Sequence, residues 1–310
     1  MIEGQEGVSW DQWTALAAAC EEHGLAGLFR SDHYVSFDSE GAAGSLDAWA
    51  VLAALAASTE RIRLGTLVSP ATFRHPAVLA MNAVTVDHVS GGRVDVGMGA
   101  GWFEREHAAF GFPFPDRATR MAKLAEQLEI VHRAFSEDRF SFEGRHYRVD
   151  DLAALPKPVQ RPHPPIVVGG SAGPVSARLA ARWADEYNVN GVGPDECRRR
   201  RERLARAWEA DGRDPETLRF SVMTRCIVGA DRRDLERRAR SQMDGSDGDD
   251  VETFLAGGGD AWVVGTVEQA ADRLRAFQDA GVQRVMLQHL DHADLETVAL
   301  LGAELLPAVT

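Results

Sequence analysis

The sequence predicts an α/β fold, a (β/α)₈ barrel (TIM barrel) with insertions. Three observations predict it. Short apolar β-like runs alternate with amphipathic helical stretches along the chain, the pattern of parallel βαβ units. Seven such runs follow from Leu25 onward, and residues Met1 to Gly4 are left for an eighth. The 310 residues hold a barrel of ~250 residues with room for insertions. A doubly wound sheet is the alternative, but it usually needs fewer units. One domain over 1–310 is expected, with insertions near 102–117, 139–165 and 244–260. The first strand reads as truncated: either the true start lies upstream or the strand is unusually short.

The elements are expected in this order. Residues 9–23 form a helix with Ser9 as N-cap, and Leu25 to Ser31 a strand. Residues 46–59 are helical, and Ile62 to Val68 is a strand. Pro76 opens a helix over 76–90, which Gly91 and Gly92 stop. Val94 to Met98 is a strand, and 117–135 a long amphipathic helix. Residues 139–150 alternate around Glu143-Gly144 as a hairpin, followed by a proline-rich segment at 155–165. Ile166 to Val168, Glu186 to Val189, Arg219 to Val228 and Arg284 to Gln288 are strands. The stretches 174–184, 194–211, 231–243, 266–280 and 293–306 are helices, and 244–250 is an acidic loop.

Composition narrows the function. Hydrophobic residues make up 45% and charged residues 26%, a soluble globular balance. The net charge of -13 argues against a nucleic-acid or anionic-membrane binder, which needs a basic footprint. No apolar run reaches the roughly 18–20 residues of a membrane span, and no secretory signal is visible. Cys20, Cys197 and Cys226 are too scattered for a disulfide framework or a zinc knuckle, so a reduced, cytoplasmic protein is expected. No metal site is expected: the histidines are spread out, and the 244–250 segment breaks the calcium-loop pattern. The Arg198 to Arg201 run reads as a solvated helix face.

A barrel places its site at the C-terminal ends of the strands. Asp32 and His33 stand there, then Val68, Ser69 and Pro70, then Gly97 to Trp102, then Gly169 to Gly173, then Asn190, Gln288 and His289. A strand that runs through glycines and Ser171 into a helix opened by Pro174 suits a phosphate, because glycine admits close approach and helix-start N–H groups bind anions. The same letters spell G-x-S-x-G, so Ser171 reads as phosphate donor, structural turn or hydrolase nucleophile. Gly99 and Gly101 make either a tight turn or a backbone on which a flat ring can lie. Trp102 is a rim residue or a pocket wall. His33 is a structural histidine or an acid–base group, since an ordinary imidazole titrates near neutrality.

Taken together, GLFRSDHY (27–34), TERIRLGTLVSPATFRHPAVLA (59–80), VDHVSGGRVDVGMGAGWFEREHAAFGFPF (86–114) and PPIVVGGSAGP (164–174) resemble the luciferase-like monooxygenase superfamily. Within it they resemble the coenzyme F420-dependent oxidoreductases. The resemblance implies a luciferase-like barrel, a homodimer, and a non-proline cis peptide at Leu67–Val68. It also implies that Asp32 and His33 contact the cofactor ring, that Thr66, Leu67 and Val68 back it, and that Gly99 and Gly101 flank it. Gly170 and Ser171 would hold the phosphate. His33 is the expected catalytic residue, and Phe37, Trp102 and Glu106 are the expected substrate-pocket residues. Trp102 stands where the family's sugar-phosphate dehydrogenases carry glutamate, and Phe37 where they carry tryptophan, which argues against a sugar phosphate.

The leading expectation is hydride transfer between coenzyme F420 and an unidentified small organic substrate. An FMN-dependent monooxygenase on the same barrel is the alternative. A non-catalytic flavin-binding protein and a serine hydrolase built on Ser171 are further ones.

Overall fold

The computed structural model describes residues 1–37, 43–243 and 250–309. The expected acidic loop therefore lies, but for Asp250, outside the described residues. In chain order the strands are β1 (Gly27–Arg30), β2 (Arg63–Thr66), β3 (Ser69–Pro70), β4 (Val94–Gly99), β5 (Phe140–Glu143), β6 (Arg148–Leu152), β7 (Ile166–Gly169), β8 (Glu186–Asn190), β9 (Arg219–Gly229), β10 (Val263–Thr266) and β11 (Arg284–Gln288). The helices are α1 (Trp10–Glu22), α2 (Ala48–Ser58), α3 (Pro76–Ser90), α4 (Glu104–Phe110), α5 (Arg117–Ser136), α6 (Pro174–Trp183), α7 (Pro194–Ala210), α8 (Arg232–Arg240), α9 (Val251–Ala256), α10 (Val267–Asp279) and α11 (Leu295–Leu300).

The barrel wall runs β1-β2-β4-β7-β8-β9-β11, every pairing parallel. Residues at the chain start fill the remaining gap. Ile2 bridges Arg30 in parallel, and on the other side the Met1 ammonium donates to Leu287 O at 2.9 Å while His289 N donates to Met1 O at 3.0 Å. The eighth strand is thus present as a single bridge at Ile2. Strands covered on both faces need near-continuous apolar runs, and Leu28, Leu64, Val94, Val96, Val168, Tyr187 and Val222 are all buried.

The local signals act as expected. Ser9 and Gln12 form a reciprocal capping box on α1, Pro76 opens α3, and Gly91 ends it with a left-handed φ of 66°. The β5–β6 hairpin turns at Gly144, whose N–H donates to Tyr147 O at 2.9 Å.

Three elements depart from the sequence reading. β10 has no counterpart among the expected strands, because only Val263 and Val264 stand out there and the Thr266–Gln269 capping box marks a helix. It pairs with the far half of β9 rather than joining the wall. The 102–117 insertion contains α4, and the strand expected through Val68 ends at Thr66.

The two ends of the barrel differ. At the N-terminal end Asp95 on β4 accepts from Arg63 on β2 (Nε–Oδ1 2.8 Å) and from Arg284 on β11 (Nη1–Oδ2 2.8 Å). β4 and β11 do not pair, so the ion pair crosses the interior and plugs that end. The cleft opens at the other.

Candidate functional site

The sharpest local feature is the Leu67–Val68 peptide, which is cis, as the resemblance implies. The Val68 side chain faces β4 and β7. A Cβ on Gly99 would stand 2.6 Å from Val68 Cγ2, and one on Gly169 would stand 2.9 Å from Val68 Cγ1. Gly99 is therefore glycine to admit Val68. Gly101 has φ 79°, a left-handed conformation, and a Cβ there would press on Thr72 Oγ1 at 2.9 Å. The turn accounts for Gly101, and the close approach of Val68 accounts for Gly99.

His33 follows β1. Its Nδ1 lies 2.6 Å from Glu106 Oε1, and the other carboxylate oxygen accepts from Tyr34 N–H at 3.1 Å. With a carboxylate as partner, Nδ1 carries the hydrogen and Nε2 is the nitrogen left for the cleft. Glu106 is 1% exposed. It was expected on the substrate wall; the first turn of α4 instead tucks it behind His33. Its neighbour His107 is also buried and fixes α4 from the other side, bonding Thr72 Oγ1 at 2.7 Å and Phe103 O at 2.6 Å. The sequence reading missed His107; the Glu106-His107 pair inside an otherwise polar segment was the available signal.

Asp32 also sits behind the wall. It accepts from Ser69 Oγ at 2.6 Å and pairs with Arg74, which reaches on to Asp47 at 2.8 Å. Asp32 Oδ1 is buried without a partner among the protein atoms. Thr66 is likewise buried and donates to Gly97 O at 3.0 Å. Neither Asp32 nor Thr66 is among the residues that line the cleft; both are tied to neighbouring wall residues instead.

The cleft has a volume of about 1120 Å³ and is lined by His33, Leu67, Val68, Gly99, Gly101, Trp102, Gly170 and Ser171. All of these were legible in the sequence. Arg117, Arg120, Met121 and Leu124 of α5 complete one wall. They were missed, although their spacing of three, four and seven places them on one helical face. Phe37 is not on the wall; it packs against Trp102 at the mouth, with ring centroids 5.3 Å apart.

At the far side β7 leads through Gly169 to Gly173 into α6. Gly173 provides no side-chain cap and Pro174 follows, so the first N–H groups of α6 have no side-chain partner from the cap residue. Tyr187 OH shapes the loop by accepting from Ala172 N at 2.8 Å and donating to Ser176 Oγ at 2.9 Å. Tyr187→Phe is expected to leave the buried Ala172 N–H unpaired and cost ~1–3 kcal/mol, read by denaturant unfolding; an unchanged midpoint would remove the hydroxyl from this account. His88, His107 and His163 are hydrogen-bonded to Lys157 O, Thr72 Oγ1 and Pro164 O, and none of the three lines the cleft that holds Ser171. Burial pushes the Cys20 thiol up to about 11 and Cys197 and Cys226 up to about 12, which leaves no thiolate nucleophile near neutrality. Among the described residues no group of three His, Cys, Asp or Glu side chains is placed to hold a metal ion.

His289 follows β11 and is buried with both ring nitrogens unpartnered. Burial, then the nearby N-terminal ammonium and His292, push its pKa down to about 4. The folded value lies below the unfolded one of ~6.5, so the unfolded chain takes up a proton that the folded one refuses. Stability is expected to fall as pH drops from about 6.5 towards 4. Thermal melts across that window test it; a His289→Gln melt with the same slope would contradict the assignment.

The chain is similar to known proteins. The sequence profile of the luciferase-like monooxygenase family matches residues 2–284. An F420-dependent glucose-6-phosphate dehydrogenase of Nakamurella multipartita is 37% identical over 183 residues, 58% of this chain and 52% of that protein. The chain thus spans about half the length of that relative. An FMNH2-dependent dimethylsulfone monooxygenase of Pseudomonas putida is 28% identical over 281 residues, 83% of this chain and 76% of that protein. The solved structure of an F420-dependent secondary alcohol dehydrogenase with an F420–acetone adduct superposes with a TM-score of 0.84 at 19% identity, covering 100% of this chain and 98% of that one. At that identity the likeness shows the fold.

Proposed function

The chain belongs to the luciferase-like monooxygenase family, and on that premise we propose that it is a coenzyme F420-dependent oxidoreductase acting on a small alcohol or carbonyl compound. The observation that carries the reading is His33 held by a buried carboxylate at the mouth of a cleft that also contains a helix N-terminus without a side-chain cap.

The residues fit the cofactor. Gly170, Ser171 and the first N–H groups of α6 are suited to its phosphate. Leu67 and Val68 form an apolar wall for a flat ring, with the Gly99–Gly101 backbone beside it. When bound, the deazaflavin supplies a ring carbon in place of N5 that accepts or gives hydride and reacts poorly with oxygen. The protein supplies the proton path. For an alcohol substrate His33 Nε2 would accept the hydroxyl proton, and for a carbonyl substrate it would return a proton to the oxygen, while the bound deazaflavin would supply the hydride chemistry. Glu106 holds the imidazole in the tautomer that leaves Nε2 able to accept. The same reading includes a homodimer and a reducing, cytoplasmic setting; three free, buried cysteines support the reducing setting. Among the described residues no helix is long and apolar enough to cross a membrane.

The Pseudomonas relative, aligned over 83% of the chain, supports a second reading, an FMN-dependent monooxygenase. Turnover under nitrogen separates the two. Bleaching of the bound deazaflavin by a secondary alcohol, with no oxygen consumed, is the expected result. Activity only with reduced FMN and oxygen would select the second reading.

A further inference from the structure

We propose that the substrate side of this site takes a neutral compound with a planar aromatic ring beside its alcohol or carbonyl carbon; the inference rests on the hydride-transfer reading above. Three rings surround the imidazole of His33. Phe37 and Trp102 have centroids 5.3 Å apart, Phe37 and Phe103 5.3 Å, and Trp102 and Phe103 5.2 Å. Each also meets His33 edge-on, at 5.0 Å for Phe37, 5.9 Å for Trp102 and 6.1 Å for Phe103. Yet Phe37 remains 41% and Trp102 62% exposed. Large apolar rings clustered in water at the rim of a cleft mark a surface that a ligand covers.

The ring angles say what kind of ligand. Phe37 stands at 75° to Phe103, while Trp102 is tilted 43° from Phe37 and 32° from Phe103. The mouth therefore presents both ring faces and ring edges. A third ring complements that quadrupole pattern, whereas an alkyl chain gains only from its area.

Two guanidiniums near the mouth are already engaged by carbonyls and rings. Arg105 donates to Ser36 O and lies over Phe103 at 5.2 Å. Arg120 donates to Gly101 O at 3.1 Å and lies over Phe114 at 4.1 Å. Glu106 faces His33. Among the described residues, Arg117, exposed at the first turn of α5, is the cleft-lining guanidinium without a hydrogen bond or ion pair. A phosphorylated substrate would have to rely on it.

Calorimetric titration with three probes tests the proposal, on the apo-protein and on protein preloaded with coenzyme F420. Acetophenone and octan-2-one have equal carbon counts, and the alkyl ketone is the more apolar, so burial alone favours octan-2-one. Acetophenone is expected to bind at least ~3-fold tighter, and Trp102→Ala to weaken it by ~5-fold or more, through loss of ring contacts. Glucose 6-phosphate is expected not to saturate. Tighter octan-2-one binding, or glucose 6-phosphate binding abolished by Arg117→Gln, overturns the proposal. The cofactor arm keeps the two readings apart. Acetophenone preference without F420 binding supports the ring-lined mouth and sinks hydride transfer. F420 binding with octan-2-one preferred sinks only the substrate class.

Discussion

Replacing His33 with alanine is expected to lower the single-turnover rate by ~10²–10⁴-fold, the usual contribution of a positioned acid–base group. Glu106→Gln is expected to follow it with a loss of ~10²-fold or more, although Glu106 does not reach the cleft. The reason is donor arithmetic. The carboxylate accepts from His33 Nδ1 with one oxygen and from Tyr34 N–H with the other. Glutamine has one acceptor and one donor. Either its amide N–H₂ meets the Tyr34 N–H, or it faces Nδ1 and forces the hydrogen onto Nε2. Both outcomes remove a correctly held Nε2 lone pair. Cofactor affinity, read by titration, is expected to stay within about threefold, because the loss lies in the chemical step. The double variant is expected to be no slower than His33→Ala alone, as for residues acting as a unit. A Glu106→Gln enzyme within threefold of the parent rate would remove the carboxylate from the mechanism.

The second large effect concerns the wall. Gly97→Ala is expected to destabilise the fold by ~3 kcal/mol or more, beyond the usual cost of one extra methyl in a core. The new Cβ would stand 2.0 Å from Thr66 O and 3.0 Å from Val68 Cγ1. Both neighbours are backbone or wall, and Thr66 is itself tied to Gly97 O. Relief would require β2 and β4 to separate where Val68 enters the cleft. Gly44→Ala is the control, because a Cβ there meets nothing within 4 Å; it is expected to change stability by less than ~0.5 kcal/mol. Equal unfolding midpoints for the two variants would contradict the packing described for Val68.

These residues also show what could be read from the chain. The barrel was legible because parallel strands and their crossover helices impose an alternation that survives in one sequence. Even the eighth strand at Met1 to Gly4 was placed, though it pairs through Ile2 alone. β10 was not, because two valines between glycines and a helix cap carry no period. In the site, residues at strand ends were found by position: His33, Val68, Gly101, Trp102 and Ser171 all line the cleft. What position cannot tell is facing. Asp32, Thr66 and Glu106 were named for the ligand side and are buried off the cleft wall, because their partners Ser69, Arg74, Gly97 and His33 come from other segments that the chain order does not reveal. The α5 wall was missed because Arg117 and Arg120 look like any solvated helix start until the insertion folds over them.

The central claim is that the cleft between Val68 and α6 binds a deazaflavin. Fluorescence titration of the purified apo-protein with oxidised coenzyme F420, and in parallel with FMN, tests it most directly. The account predicts saturable binding of coenzyme F420 at least ~10-fold tighter than FMN, a difference of about 1.4 kcal/mol. Tighter binding of FMN, or saturation by neither, would contradict it.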